Sequence, residues 1–145
     1  YLRIADGTWI ELPPFPGDVS TYGRRVSERS GNTVYVAGTS FLNDKSFHAM
    51  RWTIDLSSNT IVKTEHRSET SSSSDVSTGG SMSGSVGTQN KTPFLWRLSG
   101  LLTLSPPKGG GSADASGISD NGVYLVGQAS FRLRRRAVLW TLSTP

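Results

Sequence analysis

The chain contains no cysteine and only two histidines among its 145 residues. The first absence excludes disulfide staples, thiol catalysis and cysteine-ligated zinc or iron–sulfur centres. It suits either a cytosolic protein or a bacterial secreted one that does without bridges. The two histidines, His48 and His66, have no companion at metal-ligand spacing, and H-E-x-x-H is missing. No G-x-S-x-G element or phosphate loop occurs. GGGS at 109–112 leads into a small-residue strand and not a helix, so it lacks the dipole that cradles an anion. Apolar residues make up 34% of the chain, and no run nears the length needed to span a bilayer as a helix. No long window keeps a 3.6-residue period, so almost no helix is expected. No basic–apolar–small leader is present, and the chain opens on Tyr1 rather than Met. A mature product, or a chain without its leading residues, is the expectation.

Glycine, at 16 residues, and serine are plentiful, which suits short strands joined by tight turns. Fifteen Lys and Arg against eleven Asp and Glu give a net charge of +4. This excess is mild, and its distribution matters more than its size.

The chain repeats. Trp52, Trp96 and Trp140 stand at intervals of 44 residues, within HAMRWTID, TPFLWRLS and RAVLWTLS. Alternate positions agree in character: Met50/Phe94/Val138, the tryptophans, then Ile54/Leu98/Leu142 form one face. Arg51/Leu95/Leu139 and Thr53/Arg97/Thr141 form the other. Such period-two alternation is the signal of a strand. Upstream lie TVYVAG, SMSGSVG and GVYLVG, which end at Gly38, Gly87 and Gly127. A partial copy opens the chain, since YLRIADGTWIELPP aligns without gaps on FLWRLSGLLTLSPP at 94–107, with Arg3 where the tryptophans stand. SETSSSSD at 68–75 reads as a polar loop between units. Each unit is therefore about four strands. One repeat domain, 1–145, divides into partial 1–17, then 18–67, 68–111 and partial 112–145.

The stretch FLWRLSGLLTLSPPKGGGSADASGISDNGVYLVGQAS, followed by AVLW, resembles the bacterial extracellular HAF-type repeat. Residues 1–14 and 94–140 carry the match best, and 56–90 diverge most. The resemblance implies an all-β, β-propeller-like fold with each four-stranded unit as one blade, and a secreted or cell-surface bacterial protein. Four short strands per repeat of this length is also the size of a blade. Propellers close with four to eight blades, and this chain holds about three. A partial propeller or a homodimer completing a ring is expected. A β-trefoil, with three four-stranded units in about this length, is the alternative fold.

Positive charge recurs between the second and third strands of each unit: Lys45 and His48, then Lys91, then Arg132, Arg134, Arg135 and Arg136. Gathered on one rim, these residues would attract a polyanion or glycan, with Phe41, Phe47 and Phe131 beside them to stack on a ring. The plainer reading of the same residues is solvated hairpin ends that discourage edge aggregation. The three repeated tryptophans are expected in the packing between blades. Trp9, on a different strand, is freer and is a ligand candidate. Glu65 and Glu69 could pair as acid and base but fall in a polar stretch, and Asp114 and Asp120 have no reason to converge. A glycosidase would need carboxylates clustered at the propeller centre, and the strands placed there offer only Asp114. The expectation is a non-enzymatic module without cofactor or metal, built for binding or for self-assembly.

Overall fold

A computed structural model of the chain describes residues 1–4, 7–132 and 134–142. They form an all-β protein, with no helix among them. A short antiparallel pair, β1 (Leu2–Arg3) and β2 (Trp9–Ile10), comes first. Sheet I follows as β3 (Ser20–Val26), β4 (Thr33–Phe41), β5 (Phe47–Asp55) and β6 (Thr60–His66). Sheet II holds β7 (Ser71–Val76), β8 (Met82–Val86), β9 (Thr92–Arg97) and β10 (Gly100–Thr103). Sheet III holds β11 (Ala113–Ile118), β12 (Tyr124–Phe131) and β13 (Arg134–Thr141). Within each sheet, strands follow chain order as an antiparallel meander. Separate meander sheets stacked in series are the architecture of propeller blades; the trefoil alternative, which closes its strands into one barrel, is set aside.

The hydrophobic core is three slabs, one at each junction between successive sheets. Ile10 and Leu12 pack on Val34, Val36, Met50, Trp52 and Ile54 of sheet I. Ala37 of sheet I meets Val76 and Met82 of sheet II, with Tyr35 and Trp96 at the margin. Leu95 of sheet II and Leu104, just past β10, meet Ala115 and Leu125 of sheet III, flanked by Trp140 and Leu142. The tryptophans therefore pack between sheets, and Trp52 is fully buried. Leu98, assigned by alternation to the same face, sits instead in the two-residue turn between β9 and β10 and is exposed.

SETSSSSD, expected as a loop, supplies most of β7, the first strand of sheet II. Ser71 and Ser73 are fully buried against sheet I. The Ser71 hydroxyl accepts a hydrogen bond from the Ala49 amide at 3.1 Å, and Ser73 donates to the Gly38 carbonyl. Serine is small enough to let two sheets approach closely, and its hydroxyl is satisfied by the neighbouring backbone. Polarity here is a packing device.

Each first strand carries a bulge at the same place. The register with the second strand shifts between Gly23 and Arg25, between Ser73 and Asp75, and between Ala115 and Gly117. Opposite the residue before each bulge stands a glycine: Gly38, Gly84 and Gly127. The middle repeat is thus set by Gly84; Gly87, chosen from the sequence, lies past β8 with φ of 88°. The opening copy also needs a correction. Leu2 pairs with Ile10, whereas its counterpart Leu95 pairs with Leu102, so the first turn is one residue longer. The indole N–H groups show the same offset, Trp52 donating to the Pro13 carbonyl at 3.1 Å and Trp140 to the Ser105 carbonyl at 3.0 Å.

Candidate functional site

Strand alternation divides the arginine run. Arg132 is the turn residue, exposed and left-handed at φ 51°, while Leu133 lies outside the described residues. Arg134, Arg135 and Arg136 are not loop residues but the first three of β13, opposite Phe131, Ser130 and Ala129. Arg135 shares a face with Ser130 and Gln128; Arg134 and Arg136 point the other way, and the Arg136 guanidinium lies 5.2 Å from the Phe131 ring centre.

His48 also leaves the expected loop. It lies in β5, with Nδ1 3.4 Å from Asp18 Oδ2 and its ring stacked 5.8 Å from His66. Burial lowers the His66 pKa, with the charge of His48 adding to the shift and Asp18 opposing it. Lys45 is exposed at the β4–β5 turn with φ of 70°. Asp44 beside it accepts from the Ser46 amide at 2.8 Å and from the Ser46 hydroxyl at 2.5 Å, and these bonds lower its pKa. Trp9 is 61% exposed on β2, with Arg3 standing 5.7 Å over its ring.

Lys91 is the residue around which charge does gather. It is half-buried just before β9, and its amide donates to the Ser112 hydroxyl at 2.9 Å while its carbonyl accepts from the Ala113 amide at 2.8 Å. These bonds tie the β8–β9 hairpin to the start of sheet III. On one side Lys91 lines a cleft of about 130 Å³ with Gln89, Ser112, Asp114, Gln128 and Arg135. On the other it lines a groove of about 250 Å³ with Arg24, Thr39, Phe41, Phe47 and Ser72. Asp114 accepts from the Gln128 amide at 3.1 Å, so the first cleft is mixed in charge. The second holds two cations and no carboxylate. Arg24, at the β3 bulge, was not among the expected site residues. It falls between Gly23 and Arg25, where the register with β4 shifts, and lines the groove from there.

The two carboxylates considered as an acid–base pair are each engaged by an arginine. Glu65, in β6 rather than a loop, accepts from Arg51 Nε at 2.9 Å and lies 3.0 Å from Lys63 Nζ, while Glu69 pairs with Arg67. Burial would raise the Glu65 pKa, but the hydrogen bonds from Arg51 and Lys63 hold it below the ordinary glutamate range. Asp120 lies in the β11–β12 turn, closed by a bond from the Gly122 amide to the Ser119 carbonyl at 2.8 Å. Residues 119–122, SDNG, thus form a β-turn with Asp120 and Asn121 at its centre and Gly122, at φ 71°, in the fourth position. Among the described residues no group of three or more His, Cys, Asp or Glu is placed to hold a metal ion, and no helix is long and apolar enough to cross a membrane.

No family model matches the chain, and no curated protein matches it. Among solved structures, the fold is similar to the β-propeller domain of the Trilobed protease from Pyrococcus furiosus, which is described as revealing an open velcro topology. The TM-score is 0.51 at 12% identity, over 86% of this chain and 40% of that one. The likeness establishes the propeller-type fold, and the chain spans well under half the length of the chain it matches.

Proposed function

We propose that this propeller-type repeat domain is a non-enzymatic binding module that takes a polyanion or acidic glycan along its basic rim. The observation that carries the reading is the position of Lys91 between two clefts, with Arg135 across one and Arg24 across the other. Three cations drawn from three sheets face two adjoining clefts, which suits an extended anion better than a single point charge. Secretion or surface display in a bacterium, which the HAF-type resemblance implies, fits such a ligand. Heparin chromatography tests the proposal. The wild type is expected to be retained at low salt and released as salt rises. Lys91→Ala and Arg135→Ala should each lower the salt slope by about one. Unchanged elution of the double variant would show that the rim is only solvated.

A second reading, self-assembly, is favoured by the open face of sheet III. Val126 and Leu139 are 51% and 61% exposed there, whereas their counterparts Ala37 and Arg51 in sheet I are fully buried beneath sheet II. Tyr124 extends the patch, and among the described residues no strand pairs with the outer edge of β13. A second copy covering this face gives a dimer by light scattering, converted to monomer by Leu139→Glu. A wild-type protein that is monomeric at high concentration removes this reading.

A further inference from the structure

Between sheets I and II, the groove beside Lys91 differs from the rest of the rim in having apolar walls. Phe41 and Phe47 close the β4–β5 ladder as its last pair, with ring centres 6.3 Å apart and planes at 48°. Thr39, two residues earlier on the same face of β4, lies at the base; it is 3% exposed, and its hydroxyl is buried without a hydrogen-bond partner. Ser72 of β7 forms the opposite wall. Arg24 and Lys91 complete the lining, and neither forms an ion pair among the described residues.

We propose that this groove binds a single sugar ring carrying one anionic group, a carboxylate or a sulfate. The proposal deepens the binding reading above and rests on it. Two tilted phenyl rings present apolar surface to the C–H face of a sugar but form no parallel slot for a flat base. The volume of about 250 Å³ lies below that of drug-sized sites, roughly 300–1,000 Å³, which limits the occupant to about one ring. The two cations supply charge-assisted donors for the anionic substituent. A ring hydroxyl reaching the base would complete the Thr39 hydroxyl, a buried polar group of the kind that native proteins rarely leave unpaired.

Calorimetric titration with glucuronate, glucose, acetate and uridine monophosphate tests this. Glucuronate is expected to bind about 10-fold more tightly than glucose or acetate, since only it uses both the phenyl walls and the cations. Thr39→Val, nearly isosteric, should weaken glucuronate several-fold while leaving the melting temperature unchanged or raised, because it removes an unpaired buried hydroxyl. Phe47→Leu should weaken glucuronate comparably and leave acetate unaffected. Glucuronate binding no tighter than acetate, or binding indifferent to both substitutions, would overturn the proposal. Tighter binding of uridine monophosphate than of glucuronate would overturn the choice of a sugar. Heparin retention of the wild type separates the two levels. Retention without glucuronate preference refutes the groove assignment alone, whereas no retention refutes the basic rim as well.

Discussion

Gly84→Ala is expected to abolish the native fold or lower the melting temperature by on the order of 10 °C. A methyl at this position would drive into the Ser72 carbonyl oxygen and the Phe94 ring. Gly38 faces the same geometry, a methyl there lying 2.5 Å from the Tyr22 carbonyl oxygen and 2.6 Å from Trp52. Gly127 would meet the Asp114 carbonyl. Backbone cannot rotate aside as a side chain can, so relief requires parting the first two strands of the sheet. Overpacking of this kind costs about 3 kcal/mol or more. Gly79→Ala is the control: nothing lies within 4 Å of its added methyl, and its effect should stay within about 0.5 kcal/mol. Thermal denaturation followed by circular dichroism reads both. A Gly84→Ala protein that melts like the control would mean that the bulges tolerate a side chain.

The second large effect is expected at Arg51, a fully buried arginine that locks sheet I to sheet II. Its Nη1 donates to the Gly80 carbonyl at 2.8 Å and, more weakly, to the Trp96 carbonyl at 3.3 Å; its Nε donates to Glu65. The guanidinium also lies 4.5 Å from the Trp96 ring centre. Gly80 holds φ of 76° beneath the Tyr35 ring, which turns its carbonyl region toward the cation without a side chain in the way. Arg51→Ala should cost about 3–5 kcal/mol, the range for breaking a buried pair by removing one partner. Arg51→Met with Glu65→Met should recover most of that loss, because two apolar groups leave no charge behind. The pair also predicts an acid limb. Glu65 has a folded pKa below its unfolded value, so its contribution is present above an unfolded pKa of about 4.3 and is lost as pH falls through the folded pKa. Glu65→Gln should flatten that limb in chemical denaturation between pH 3 and about 6. An Arg51→Ala protein as stable as wild type would show that the cation contributes nothing to the junction.

The all-β repeat was legible because its largest side chains recur. Trp52, Trp96 and Trp140 hold matching ladder positions opposite Val36, Met82 and Leu125, so their spacing in the sequence is their spacing in the fold. What small residues do was far less legible. Serines 71–74 have the composition of a loop, and only burial against sheet I reveals them as a strand. Gly84 and Gly87 both follow a serine-rich stretch, and the choice between them depends on a bulge that local composition does not encode. The candidate site behaved the same way. Lys91 could be found as a charge in a recurrent loop, but its partners come from other sheets. Arg24 belongs to a bulge, and Thr39 reads as an ordinary strand residue. The arginine run looked like one feature because residues adjacent in sequence are counted together, whereas a strand sends neighbours to opposite faces.

The three core slabs have a bearing on how damage spreads. Each sheet is packed against its neighbours in the series, so the molecule behaves as a short one-dimensional stack whose stability is a sum over junctions. Among the described residues, sheet III at one end and the short β1–β2 pair at the other each take part in a single junction. Amides of the β1–β2 pair and of sheet III, whose outer face is uncovered, are therefore expected to exchange with solvent before those at the middle junction of Ala37, Val76 and Met82. A partner seated on that face would act as the capping repeat that arrays of this kind require.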